Sequence, residues 1–133
     1  MKLTSKSEYA LLALIYLARN SGNSFVPVHQ IAEAQGIPPK FLEQILLILK
    51  RAKYLRSLRG NCGGYSLAKP ADQINLAEII RLFDGALAPT ESVSSYFYES
   101  TPIEKEQSLL ALFREIRNFI SDKLENTTLA DVI

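Results

Sequence analysis

Val28-His-Gln-Ile-Ala-Glu-Ala-Gln-Gly36, then Ile-Pro-Pro39, then Lys40-Phe-Leu-Glu-Gln-Ile-Leu-Leu-Ile-Leu-Lys-Arg-Ala-Lys53 reads as two helices broken by a tight turn. Gly36 is placed to end the first in a left-handed cap. Pro38 and Pro39 pre-set the first turn of the second, where a missing N–H costs nothing. Leu42, Ile45, Leu46 and Leu49 then make an inward stripe. Lys40, Glu43, Gln44, Leu47 and Arg51, at i, i+3, i+4, i+7 and i+11, share the opposite face. Next comes Arg56-Ser-Leu-Arg59-Gly-Asn-Cys-Gly-Gly-Tyr65-Ser-Leu67. It predicts strands at 56–59 and 65–67 around a turn where Gly60 and Gly63-Gly64 supply positive φ, with Asn61 and Cys62 near the tip. Helix, turn, helix and basic hairpin is the order of parts in a winged helix-turn-helix, which lays its second helix in the DNA major groove.

Charge agrees with that order. Residues 1–70 hold ten Lys and Arg against three Asp and Glu, and residues 71–133 hold five against eleven. The formal net charge of +1 therefore hides a basic half and an acidic half. A basic half suits a polyanionic partner. At 133 residues the chain has room for one domain with a core, or a small domain plus an appended helix. A single cysteine leaves no internal disulfide framework and points to a reducing compartment.

The ten apolar residues Tyr9 to Ala18, preceded by Lys2 and Lys6, imitate a secretory leader. Glu8 at their edge, the absence of a small-x-small cleavage site and the closing Arg19-Asn20 favour a buried helix. Ser5-Lys-Ser-Glu8 reads as its capping box. Ten residues are also too few for a bilayer, which takes about 20, so no membrane partner is expected.

Downstream, Leu76, Ile79, Ile80 and Phe83 recur at helical spacing and stop at Asp84-Gly85. Residues 85–100 lack a period and read as a loop, the expected place for an effector or a partner protein. Thr101-Pro-Ile-Glu104 reads as a capping box opening the last helix. That helix repeats Leu109, Leu112, Phe113, Ile116, Phe119, Ile120 and Leu124 every three or four residues. The stripe could pack on its own domain, but a long amphipathic helix appended to a domain that already has a core favours a homodimer. The expected organisation is a DNA-binding domain over 1–84, a loop over 85–100, and a dimerisation helix with a terminal turn over 101–133. The fold class is mainly α with a small β-hairpin.

Roles follow from side-chain chemistry. Gln44 can pair bidentately with adenine, and Glu43 can accept from cytosine. Lys40 can reach guanine or phosphate. Leu47 either meets a thymine methyl or is partly buried. Lys50, Arg51, Lys53 and Arg56 suit phosphates, which position without specifying. Arg59 beside the wing turn suits a narrow minor groove, with Asn61 next to it. His29 reads as a solvated residue of the first turn of its helix, or a phosphate contact. Cys62 is either incidental or an oxidisable thiol. No P-loop, His-Glu-x-x-His or nucleophile elbow is present, so no enzyme is expected.

Met1-Lys-Leu-Thr-Ser-Lys-x-x-Tyr-Ala, Ile31-Ala-Glu-x-Gln-Gly-Ile, Phe41-Leu-Glu-Gln-Ile, Arg59-Gly-x-x-Gly-Gly-Tyr-x-Leu and Leu124-Glu-Asn-Thr-Thr-Leu-Ala-Asp-Val together resemble the IscR/NsrR/CymR-type bacterial repressors, the Rrf2 family. The resemblance spans nearly the whole chain. It implies a cytoplasmic homodimeric transcription factor that reads double-stranded DNA through Lys40, Glu43, Gln44 and Arg59. Many members hold an iron–sulfur cluster on three cysteines in the loop before the dimer helix. Here Ala88-Pro-Thr-Glu-Ser-Val-Ser-Ser-Tyr-Phe-Tyr-Glu-Ser100 contains none, so that site cannot assemble and no cofactor or metal is expected. In this the chain is similar to the cluster-free CymR-type members. Two rival readings stand beside the regulator: a protein-binding adaptor, and an iron–sulfur or redox sensor using Cys62 with Glu8 or His29.

Overall fold

The computed structural model describes residues 1–20, 22 and 24–133. Its helices are α1 (Ser5–Asn20), α2 (Val28–Gln35), α3 (Pro39–Arg51), α4 (Leu76–Asp84) and α5 (Gln107–Glu125). Between α3 and α4 stand β1 (Leu55–Leu58) and β2 (Gly64–Leu67). They pair antiparallel with Leu55 opposite Leu67 and Leu58 opposite Gly64.

An apolar run as continuous as Tyr9–Ala18 must be covered on several sides. In α1, Ala10, Ala13, Leu14 and Leu17 are fully buried against Ile31 of α2 and the predicted stripe Leu42, Ile45, Leu46 and Leu49 of α3. Each such leucine contributes about 1.5–3 kcal/mol by leaving water. Tyr9 and Phe41 meet edge to face at 5.5 Å. The chain's end returns to this core. Leu129 is fully buried in it, held by its N–H on the Ile74 carbonyl at 2.8 Å and by the Leu76 N–H on Thr127.

Helix boundaries follow local chemistry, with corrections. Gly36 caps α2 at φ 65, as read. The third helix begins at Pro39 and ends at Arg51, because Lys53 turns left-handed at φ 73. The α1 cap is Thr4, not Ser5. Its carbonyl accepts the Glu8 N–H at 3.1 Å and its hydroxyl accepts the Ser7 N–H at 3.3 Å. Asp84, the last residue of α4, decides this. Its carboxylate accepts from the Thr4 and Ser7 hydroxyls at 2.5 and 2.7 Å, placing an anion at the positive end of α1.

The region of 85–100 is more ordered than its lack of period predicts. Glu91–Val93 form a turn of 3-10 helix, and Ala88 and Val93 are buried against Leu110. This loop dissolves the capping box expected at 101–104. The Thr101 hydroxyl donates to Ser92 at 2.6 Å, while Tyr98 and Ser100 donate to the Glu104 carboxylate at 2.5 and 2.8 Å. Those two donors hold the Glu104 carboxyl below its ordinary range, the tyrosine foremost. Pro102–Lys105 become a short 3-10 turn and α5 starts at Gln107.

The apolar positions of α5 divide in two. Phe113 packs with Val93 and Leu110, and Ile120 and Leu124 pack on Ala77, Ile80 and Leu87. Leu109, Leu112, Ile116 and Phe119 point to solvent, Phe119 being 74% exposed.

Candidate nucleic-acid interface

The inward stripe fixes the rotation of α3, and that rotation leaves Lys40, Glu43, Gln44, Leu47, Lys50 and Arg51 exposed along one side. Leu47, whose two readings the sequence left open, is 39% exposed and belongs to this surface. Pro38 supplies no side-chain cap to the first turn of α3, where Lys40 stands.

The wing comes to the same side. Leu47 and Lys50 of α3 and Ser57, Leu58, Arg59 and Gly60 of the hairpin line one groove of about 420 Å3. Arg59 falls just outside the ladder, because β1 runs one residue earlier than the sequence suggests, from Leu55. It leads into Gly60 at φ 110, and the turn closes with the Gly63 N–H on the Gly60 carbonyl at 3.0 Å. Asn61 and Cys62 are exposed beyond it, as placed from the sequence. Gly63 does not have the positive φ expected of it. It is glycine because a Cβ there would lie 2.1 Å from the Leu58 carbonyl oxygen.

The electrostatics separate as the composition does. Among the described residues the ion pair found is Arg81–Glu125, at 2.7 Å in the acidic half. The ten cations of residues 1–70 thus carry no carboxylate partner within 4 Å, the state that favours an external polyanion. Two of them rest on aromatic rings: Arg56 lies 5.3 Å from the Phe25 centroid and Lys69 lies 5.0 Å from that of Tyr54. Sequence reasoning named Arg56 but not its ring, since no local spacing links positions 25 and 56. It also missed Leu58, half exposed at the groove's edge, although alternation along β1 marks it as outward. His29 is exposed on α2, away from the groove lining, and Gln30 beside it donates to the Tyr16 hydroxyl at 2.8 Å. Tyr54 donates to the Glu78 carboxylate at 2.9 Å, tying the base of the wing to α4. Burial first, and that carboxylate second, push its phenol up to about 12.

Comparison with known proteins agrees with this architecture. Residues 3–133 match the family described as Rrf2, iron-dependent transcriptional regulator. The chain is 39% identical over 133 residues to Rv1287 of Mycobacterium tuberculosis, named as an HTH-type transcriptional regulator, with 99% of this chain and 81% of the relative covered. The solved structure of CymR, the global cysteine regulator of Bacillus subtilis, superposes with a TM-score of 0.80 at 30% identity, covering 99% of this chain and 95% of that one. IscR of T. potens superposes at 0.77 with 29% identity, covering 99% and 85%.

The family description invokes iron, and the chain's single cysteine is not the thiolate set of an iron–sulfur centre. Thiolates are the usual ligands of iron–sulfur centres, and Cys62 stands alone and exposed on the wing. In the 85–100 segment Thr90 and Ser92 are hydrogen-bonded with Thr101. No three His, Cys, Asp or Glu side chains gather into a metal site among the described residues. In fold and sequence from Leu3 to Ile133, this DNA-binding transcriptional regulator, which is not an enzyme, belongs to the Rrf2 family.

Proposed function

We propose that two copies of the chain act together on a pseudo-palindromic operator in the cytoplasm, repressing transcription by occupying it. The observation that carries this is the shared groove: the exposed face of α3 and the wing turn present Leu47, Lys50 and Arg59 to one partner, on the half of the chain whose cations have no carboxylate partner. With α3 in the major groove, Gln44 reads adenine and Glu43 accepts from cytosine, while Leu47 meets a thymine methyl. Lys40, Lys50 and Arg51 hold phosphates, and Arg59 with Asn61 reaches the adjoining minor groove.

The second copy is supported by α5. Leu109, Leu112, Ile116 and Phe119 are spaced three, four and three apart, the seam of a coiled coil, and all are exposed in the single chain. Two recognition helices one helical turn apart, about 34–36 Å, then meet two half-sites. The chemistry of the donor set supports operation without an iron–sulfur cluster. Selection from random duplexes, followed by footprinting of the enriched sequence, tests the proposal. A two-fold related motif is expected; enrichment of no motif overturns it.

A further inference from the structure

The wing is tied to the helix-turn-helix twice. One tie is the chain itself, leaving α3 with the Tyr54 N–H on the Leu49 carbonyl at 3.0 Å. The other lies at the front of α2. Val26, buried at 3% exposure, pairs with Tyr65 of β2 in an isolated antiparallel bridge. Its N–H donates to the Tyr65 carbonyl and its carbonyl accepts the Tyr65 N–H, both at 2.8 Å. Only Pro27, with φ −62, separates Val26 from the first residue of α2. The bridge therefore fastens the hairpin directly onto the element that packs against α3.

Gly64 makes this approach possible. A Cβ at that position would lie 2.0 Å from the Val26 oxygen and 2.3 Å from its carbonyl carbon, far inside van der Waals contact. Its φ of 152 is also one that residues with side chains rarely adopt. The two adjacent glycines thus do different work. Gly63 lets the turn close on Leu58, whereas Gly64 lets the closed hairpin dock on Val26.

We infer that Gly64 and the Val26 main chain are positioning residues for DNA reading: they touch no base, and they set the angle at which Arg59 and Asn61 reach the minor groove beside α3. This deepens the DNA-binding reading and rests on it. Widening the Val26–Gly64 approach swings the wing while leaving the recognition helix in register. Wing contacts are lost and the contacts of Gln44 and Glu43 are kept.

The test is a double-mutant cycle on the operator enriched from random duplexes, using the full-length chain. Arg59→Ala is expected to weaken binding about 5- to 150-fold. Gly64→Ala is expected to weaken it by a similar factor, and the double variant to bind no worse than about twofold below the weaker single. Footprints of Gly64→Ala should lose minor-groove protection and retain protection of major-groove guanines. Val26→Pro, which removes the N–H donated to Tyr65 and keeps glycine at position 64, should reproduce this pattern. It carries the test if Gly64→Ala does not fold. Effects of Arg59 and Gly64 that multiply, or loss of both groove protections in a folded variant, overturn the inference. A wild-type chain that enriches no operator removes the DNA-binding reading itself, and this one with it.

Discussion

The buried hydroxyl of Ser7 donates to the carboxylate of Asp84 at 2.7 Å, joining the first turn of α1 to the last residue of α4. The same carboxylate accepts from the Thr4 hydroxyl at 2.5 Å and from the Thr4 N–H at 3.2 Å. Asp84 immediately precedes the loop of 85–100. The amino terminus of the DNA-binding half is therefore seated on the segment that leads to α5.

Replacing Asp84 by alanine should lower stability by about 1–3 kcal/mol, because the Thr4 N–H and hydroxyl and the fully buried Ser7 hydroxyl lose a charged acceptor, leaving Ser7 the Thr4 carbonyl at 3.0 Å. Asp84→Asn, which keeps one acceptor oxygen, should lose less. Urea unfolding of both variants measures it. A change within about 0.5 kcal/mol for Asp84→Ala would mean that the Thr4 carbonyl, 3.0 Å from the Ser7 hydroxyl, serves that donor as well as the carboxylate does.

Reading and anchoring should separate on α3. Gln44→Ala is expected to relax discrimination at one base pair while other positions stay selective. Lys50→Ala should weaken all sequences alike and reduce the salt slope by about one. Affinity measured over a salt series on matched and mismatched duplexes distinguishes the two. The reverse pattern would exchange the assigned roles.

Charge placed in the α5 seam should dissociate the pair without unfolding the chain. Ile116→Glu and Phe119→Asp lie on exposed positions, so sedimentation should report monomers with a cooperative unfolding transition. Operator affinity should fall with the dimer. Dimers that survive both substitutions would move the interface off this stripe.

Tyr54 should ionise late. Its folded phenol is pushed from 10.0 up to about 12, so folding favours the protonated form. The resulting stabilisation is complete below the ordinary tyrosine value and is lost as pH rises from there through about 12. Near-ultraviolet phenolate absorbance should lose one late-ionising tyrosine in Tyr54→Phe, while Tyr98, which its bond to Glu104 also raises, remains, and the variant should lose less stability on alkaline titration. An unchanged titration curve in Tyr54→Phe would refute this assignment.

On the proposed reading without an iron–sulfur cluster, iron removal should leave DNA binding unaltered, because one cysteine per chain is too few for a thiolate-held centre. Affinity for the selected operator, with and without a strong chelator, is the measurement. Iron retained through purification together with chelator-sensitive binding would contradict it.

What could be read from the sequence was local. Gly36, Pro38-Pro39 and the stripe from Leu42 to Leu49 place α2 and α3 unaided, because turn chemistry and helical period act over a few residues. The exposed face of α3 follows from that stripe. The wrong caps share a different cause. Thr4 outcompetes Ser5 through Asp84, eighty positions away. Thr101 and Glu104 have the right spacing for a capping box, but Ser92, Tyr98 and Ser100 take their polar atoms. The partition of α5 was hidden for a related reason. Leu109 and Phe113 obey the same period, and only the position of Val93 and Leu87 shows which side is already covered.

The uncovered stripe of α5 also bears on dosage. If two copies pair through it as proposed, a lone copy carries four bulky apolar side chains in water and grips only one half-site, so productive occupancy scales with the square of copy number while copies are scarce. A promoter under such control is silenced over a narrow span of expression, and this threshold would exist before any effector arrives.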